Sequence, residues 1–171
     1  LNRDTALSQA IKILMNSFYG VLGTGGCRFF DYRLPSSITL RGHSILQQTK
    51  KLIEEKGYKV IYGDTDSVFV HLQGYHLNIA PESIDQIGEE LVNSLNNWWK
   101  EYLIENYQLD SNLELEYETH FKQFIMPTIR GSEKGSKKRY AGIKVEKNKE
   151  SLVFKGLESV RSDWTELAKE F

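Results

Sequence analysis

Residues 60–70 read VIYGDTDSVFV, from Val60 to Val70. Apolar, β-branched and aromatic residues flank a Gly-Asp-Thr-Asp centre. The flanks predict two short strands and the centre a tight turn, so residues 58–72 form a hairpin. Two carboxylates at its tip, Asp64 and Asp66, repel each other. No Lys or Arg occurs between Val60 and Pro81 to offset them. Such a pair suits a hard divalent cation such as Mg²⁺, which prefers oxygen ligands and commonly takes one or two carboxylates plus substrate phosphates. A plain solvated turn is the simpler alternative, and the motif alone does not exclude it.

Outward from the hairpin, apolar spacing predicts helices. Leu7, Ile11, Leu14 and Phe18 recur at helical intervals over residues 6–19, with Gly20 ending the helix and residues 20–35 forming a loop. Ser36 or Ser37 is the expected N-cap of a second helix carrying Ile38, Ile45, Thr49, Leu52 and Ile53, and Gly57 its C-cap. Residues 83–107 give the clearest helix, with a stripe of Ile84, Ile87, Leu91, Leu95, Trp98 and Tyr102. Strand-like runs follow at 113–120, 122–126, 138–145 and 151–154, with a hairpin loop at 146–150 and the start of a helix at 163–171. Helices followed by mostly antiparallel strands predict an α+β fold.

The chain has 171 residues, enough to bury a core, and 22 basic against 23 acidic side chains. The neutral total hides an asymmetry. Residues 130–149 hold eight Lys or Arg and two Glu, whereas residues 82–118 hold ten acids and the single Lys100. The basic cluster suits a nucleic-acid backbone, and the acids fit the solvated face of a helix. One cysteine, Cys27, excludes a disulfide framework and fits a reducing intracellular, cytoplasmic location. No run of about 18 apolar residues argues for a membrane span. The chain begins with Leu1 and enters a helical pattern at once, as expected of a piece of a larger protein.

Two further clusters carry chemistry. Lys12 and Asn16, four apart, share one helix face, with Tyr19 about one turn on. A cation, an amide and an aromatic ring there could receive a nucleotide; a merely solvated surface helix is the alternative. The glycine-bearing loop 131–136 runs into Lys137-Lys138-Arg139-Tyr140. A lysine from it could reach minor-groove acceptors, which present nearly the same pattern whichever way an A·T pair lies. The glycines of residues 20–26 follow a helix, not a strand, and lack a Gly-Lys-Ser/Thr end, so they form a turn and not a phosphate loop.

Together, in this order, these elements resemble the family B DNA polymerases. Lys12-x-x-x-Asn16-Ser17-x-Tyr19-Gly20 is similar to the family's fingers-helix motif. Tyr62-Gly63-Asp64-Thr65-Asp66-Ser67 matches its palm metal motif, and Lys137-Lys138-Arg139-Tyr140 its primer-duplex motif. Residues 155–164, KGLESVRSDW, resemble the palm-to-thumb segment, although many members carry an Arg where this chain has Ser162. Residues 20–42 and 113–140 look most like the polymerase II type found in bacteria.

The resemblance implies a palm-type antiparallel sheet with packed helices plus a fingers-helix segment. Residues 1–35 would be the end of the fingers and its following loop, 36–160 the palm, and 161–171 the start of the thumb connection. It implies template-directed transfer of a nucleotide from a dNTP to a primer 3′-hydroxyl, with a pair of Mg²⁺ ions facing the hairpin. Asp66 would be a direct ligand to both ions, and Asp64 would lie near the primer end. Lys12 and Asn16 would hold the triphosphate and Tyr19 pack beside the nascent base pair. Lys138 would enter the primer minor groove, supported by Lys137, Arg139 and Tyr140, and Glu116 and Glu118 would lie on a strand beside the site. Primer-template DNA and, for the whole protein, a sliding clamp would be partners, with no membrane involved and association with the bacterial nucleoid.

The family's further metal-binding aspartate, in an Asp-x-x-Ser-Leu-Tyr-Pro-Ser type motif, is not in this sequence and is expected before Leu1. The isolated chain is therefore expected to be inactive. A metal-dependent glycosyltransferase would also use an Asp-x-Asp turn, but leaves the Lys–Asn helix and the basic motif unexplained. A non-catalytic nucleic-acid-binding module leaves the acidic turn unexplained.

Overall fold

The computed structural model describes residues 5–64, 66–72, 81–128, 138–146, 149–157, 160 and 162–167. Its elements run α1 (Thr5–Gly23), α2 (Arg33–Glu55), β1 (Lys59–Asp64), β2 (Ser67–His71), α3 (Pro81–Tyr107), β3 (His120–Ile125), β4 (Tyr140–Glu146) and β5 (Lys149–Lys155). All strand pairs are antiparallel: β1 with β2 in one sheet, and β3-β4-β5 in another. The expected α+β class is what the molecule has. The chain divides into two compact units, Leu1–Gln48 and Thr49–Phe171.

In the first unit, α1 does not stop at Gly20 but continues to Gly23. Among the described residues nothing crowds Gly20, so its cost is the modest propensity deficit of an exposed helical glycine. α2 starts at Arg33, before either expected serine cap. Asp31 caps it instead: its Oδ1 accepts the Arg33 backbone N–H at 3.0 Å, and its carbonyl accepts that of Leu34 at 3.0 Å. Pro35 then falls in the first turn, where a missing N–H costs nothing. Ser36 Oγ donates to the Tyr32 carbonyl at 2.8 Å rather than capping.

The second unit holds the core. Leu52 and Ile53 at the end of α2 meet Leu95 of α3, with Tyr58, Val60, Val68, Val70, Leu91, Trp98 and Leu115 packed around them. Gly57 ends α2 in the expected left-handed conformation, φ 88°. On α3 the deep tryptophan is Trp99, 4% exposed, not Trp98 of the expected stripe. Trp99 Nε1 donates to buried Thr49 Oγ1 at 3.1 Å, which satisfies the indole inside the core.

Residues 113–119, expected as a strand, pair with no strand among the described residues. The Asn96 side chain substitutes for a ladder: its Oδ1 accepts the Leu115 N–H at 2.8 Å and its Nδ2 donates to the Leu115 carbonyl at 2.9 Å. Of the helix expected at 163–171, Glu166 and Leu167 are helical and residues 168–171 lie outside the described residues.

Candidate functional site

Two β-bulges build the surface on which the acidic hairpin rests. In a regular strand Val60 and Tyr62 would face the same way. The β1–β2 register slips between them: Val60 opposes Val70, but Tyr62 opposes Phe69. The extra residue, Ile61, turns Tyr62 to the other face, so Val60 enters the core while the Tyr62 ring lies 5.6 Å from that of Phe69. The β3–β4 register slips likewise between Phe121 and Gln123, which brings Phe121 and Phe124 to one face. Gly142, buried on β4, leaves the room the Phe121 ring needs; a Cβ there would lie 2.5 Å from Phe121 Cδ1.

Phe69 joins the two sheets. Its ring centroid lies 5.0 Å from Phe124, 5.3 Å from Tyr140 and 6.2 Å from Phe121. The mixture of tilted and edge-on rings is the geometry aromatic quadrupoles favour. Above this cluster the Tyr62 hydroxyl accepts the Lys138 backbone N–H at 2.9 Å. The last pair of the hairpin is Asp64 with Ser67, which puts exposed Asp66 at its tip. The structure thus brings the hairpin together with Lys138, Arg139 and Tyr140, about 75 residues later in sequence. Burial pushes the Tyr140 hydroxyl pKa up, helped by the charge of Glu118 and by Tyr62.

Lys137 and the Asp64 side chain lie outside the described residues. Lys12, Asn16 and Tyr19 lie exposed on α1, in the first unit. The Thr39 hydroxyl donates to the Pro35 carbonyl, so the Tyr19 hydroxyl donates to Thr39 Oγ1 at 2.9 Å. Among the described residues no three His, Cys, Asp or Glu side chains gather as a metal site. The donor set of the hairpin is two carboxylates, and Mg²⁺ commonly completes such a set with water and substrate phosphates, so the donor chemistry fits that ion. A groove of about 660 Å³, lined by Leu52, Glu55, Lys56, Leu95, Trp98 and Glu101 among others, shares no residue with this cluster.

Phe69, Phe121, Phe124 and Gly142 belong to none of the sequence motifs. Their apolar character was visible, but the two bulges that gather them leave no sequence signal.

The model of DNA polymerase family B matches residues 6–171, and the chain belongs to that family. It is 62% identical over 165 residues to DNA polymerase II of Escherichia coli strain K12, covering 96% of this chain and 21% of that protein. It is 36% identical over 163 residues to a DNA polymerase of Thermococcus gorgonarius, covering 95% of this chain and 18% of the relative. The solved family B DNA polymerase of the archaeon Pyrobaculum calidifontis superposes with a TM-score of 0.52 at 26% identity, covering 95% of this chain and 16% of that one. The chain thus spans about a fifth of the length of these two relatives.

Proposed function

We propose that this chain is the end of the fingers and most of the palm of a template-directed DNA polymerase of the polymerase II type. The observation that carries this reading is the joining of the acidic hairpin to the Lys138-Arg139-Tyr140 segment by the aromatic cluster and the Tyr62–Lys138 hydrogen bond. A polymerase needs the primer duplex and the reacting end held in one frame, because misplacement by an ångström is costly for an in-line displacement.

Asp66, with Asp64, would hold a pair of Mg²⁺ ions on the hairpin tip. When bound, these ions supply charge stabilisation and an acidified 3′-hydroxyl for nucleotidyl transfer. Lys12 and Asn16 bind the incoming triphosphate from one helix face, and Tyr19, steadied by Thr39, packs beside the new base pair. Lys138 reaches minor-groove acceptors, with Lys137, Arg139 and Tyr140 supporting the duplex. Residues 1–35 act as fingers, 36–160 as palm and 161–171 as the lead into the thumb. The complete protein acts in the cytoplasm at the nucleoid and engages a sliding clamp. No helix among the described residues is long and apolar enough to cross a membrane.

The test uses the complete polymerase. Lys138→Ala should weaken primer-template binding with no new sequence preference, and Lys12→Ala should raise the KM for dNTP. Unchanged duplex affinity in the first variant together with unchanged KM in the second would refute the assignment.

A further inference from the structure

Lys138 is held in a backbone conformation that a long L side chain rarely adopts, with φ at 65°. Such a conformation persists only where its surroundings over-determine it. Here two groups do so. The Lys138 N–H is taken by the Tyr62 hydroxyl at 2.9 Å. The Lys138 carbonyl lies so close to Gly156 that any Cβ at 156 would overlap its oxygen. Gly156 is itself left-handed, φ 60°, so both its dihedral and its surroundings require glycine. The β4–β5 ladder explains the meeting. Its pairing reaches Tyr140 opposite Lys155, and Gly156 and Lys138 lie just beyond that pair.

We propose that Gly156 and Tyr62 form a clamp on the Lys138 peptide, and that Gly156 is a positioning residue for the primer duplex. The inference rests on the reading of Lys138 as a minor-groove contact. The direction of a side chain follows from the dihedrals of its own backbone. Releasing Lys138 from the left-handed region would swing its Cα–Cβ bond, and the ammonium at the end of a four-carbon stem would move furthest. The clamp acts at both ends. Tyr62 lies four residues before Asp66 on the same hairpin, and Gly156 stands just past β5. The lysine is thereby fixed in the frame of the hairpin tip.

The experiment compares binding of the complete polymerase to two primer-templates, one with adenine and one with 3-deazaadenine at the primer-terminal pairs. The second lacks the N3 acceptor of the minor groove. The unmodified enzyme should bind the deaza duplex roughly tenfold more weakly, as for loss of one specific hydrogen bond. Lys138→Ala should bind both duplexes alike, and this arm tests the underlying reading alone. Gly156→Ala should also bind both alike, with an affinity near that of Lys138→Ala, because its lysine is present but misdirected. General destabilisation would weaken both duplexes and leave the ratio intact. Tyr62→Phe adds no bulk and removes only the acceptor, so it carries the test if Gly156→Ala does not fold; its ratio should fall clearly below that of the unmodified enzyme. Full discrimination in Gly156→Ala, or in Tyr62→Phe should Gly156→Ala not fold, beside lost discrimination in Lys138→Ala, would overturn the clamp. Full discrimination in Lys138→Ala would overturn the reading beneath it, and the clamp with it.

Discussion

Gly88→Ala tests the packing of α3 because two effects oppose each other in sign. Alanine in a helix interior is favoured over glycine by about 1 kcal/mol. The structure predicts the reverse outcome at this position. A Cβ on residue 88 would meet Cδ2 and Cε2 of Tyr117 at 2.5 Å and Cζ at 2.9 Å. That ring is half-buried, and its hydroxyl donates to Asp85 Oδ1 at 2.8 Å, so it does not swing aside freely. Forcing it costs roughly 1–3 kcal/mol by overpacking, and loss of its hydrogen bond about 1 kcal/mol more. Subtracting the helical gain leaves a net destabilisation of about 1–3 kcal/mol. Urea unfolding of the 171-residue chain, followed by tryptophan fluorescence with Trp98 and Trp99 on the same helix, should show a lowered midpoint. In a Tyr117→Ala background the sign should flip, and Gly88→Ala should stabilise by about 1 kcal/mol. A raised midpoint with Tyr117 intact would show that the ring does not fill this space.

Other expectations follow from single features. Asn96→Ala strips both hydrogen bonds that tether Leu115 to α3 and should cost about 1–3 kcal/mol, with faster amide exchange over residues 113–119; unchanged exchange would contradict the tether. Phe69→Ala empties the centre of the aromatic cluster and should cost roughly 3–5 kcal/mol in unfolding experiments, against near-neutrality if the two sheets are joined elsewhere. Burial, aided by the bond to Asp85, holds the Tyr117 hydroxyl above its ordinary pKa of 10.0. A raised pKa means the contribution is complete below that value and fades as pH climbs above it. The stability gap between the chain and Tyr117→Phe should therefore narrow above about pH 10, and a gap that widens would reverse the sign of the assignment. The isolated 171-residue chain should not extend a primer, and measurable templated extension by it would show that the hairpin needs no further aspartate.

Much of this was legible in the sequence because the period of apolar residues differs between helix and strand. The hairpin at 58–72 and the helix reaching Tyr107 stand where the pattern put them. Misplaced features were those decided by tertiary context. Gly20 reads as a helix stop, but no described residue crowds it, and it stays helical. Pro35 reads as loop, yet the Asp31 cap sets the start two residues earlier, at Arg33. Trp98 and Trp99 are adjacent, and a 3.6-residue period cannot choose between them; the hydroxyl of Thr49 does. The candidate site was half visible. Its acidic tip and basic motif are short, strong strings of letters, while their joining depends on two bulges and on Gly142 and Gly156, which look like ordinary strand and loop glycines.

The most direct test of the account is primer extension by the complete polymerase with Mg²⁺, comparing the unmodified enzyme with Asp66→Asn. The side chain keeps its shape and loses its charge, so the exposed hairpin tip should fold as before. The account predicts that extension falls by several orders of magnitude while primer-template affinity is kept. Normal extension by Asp66→Asn would reduce Asp66 to a turn residue and remove the catalytic role given to this hairpin.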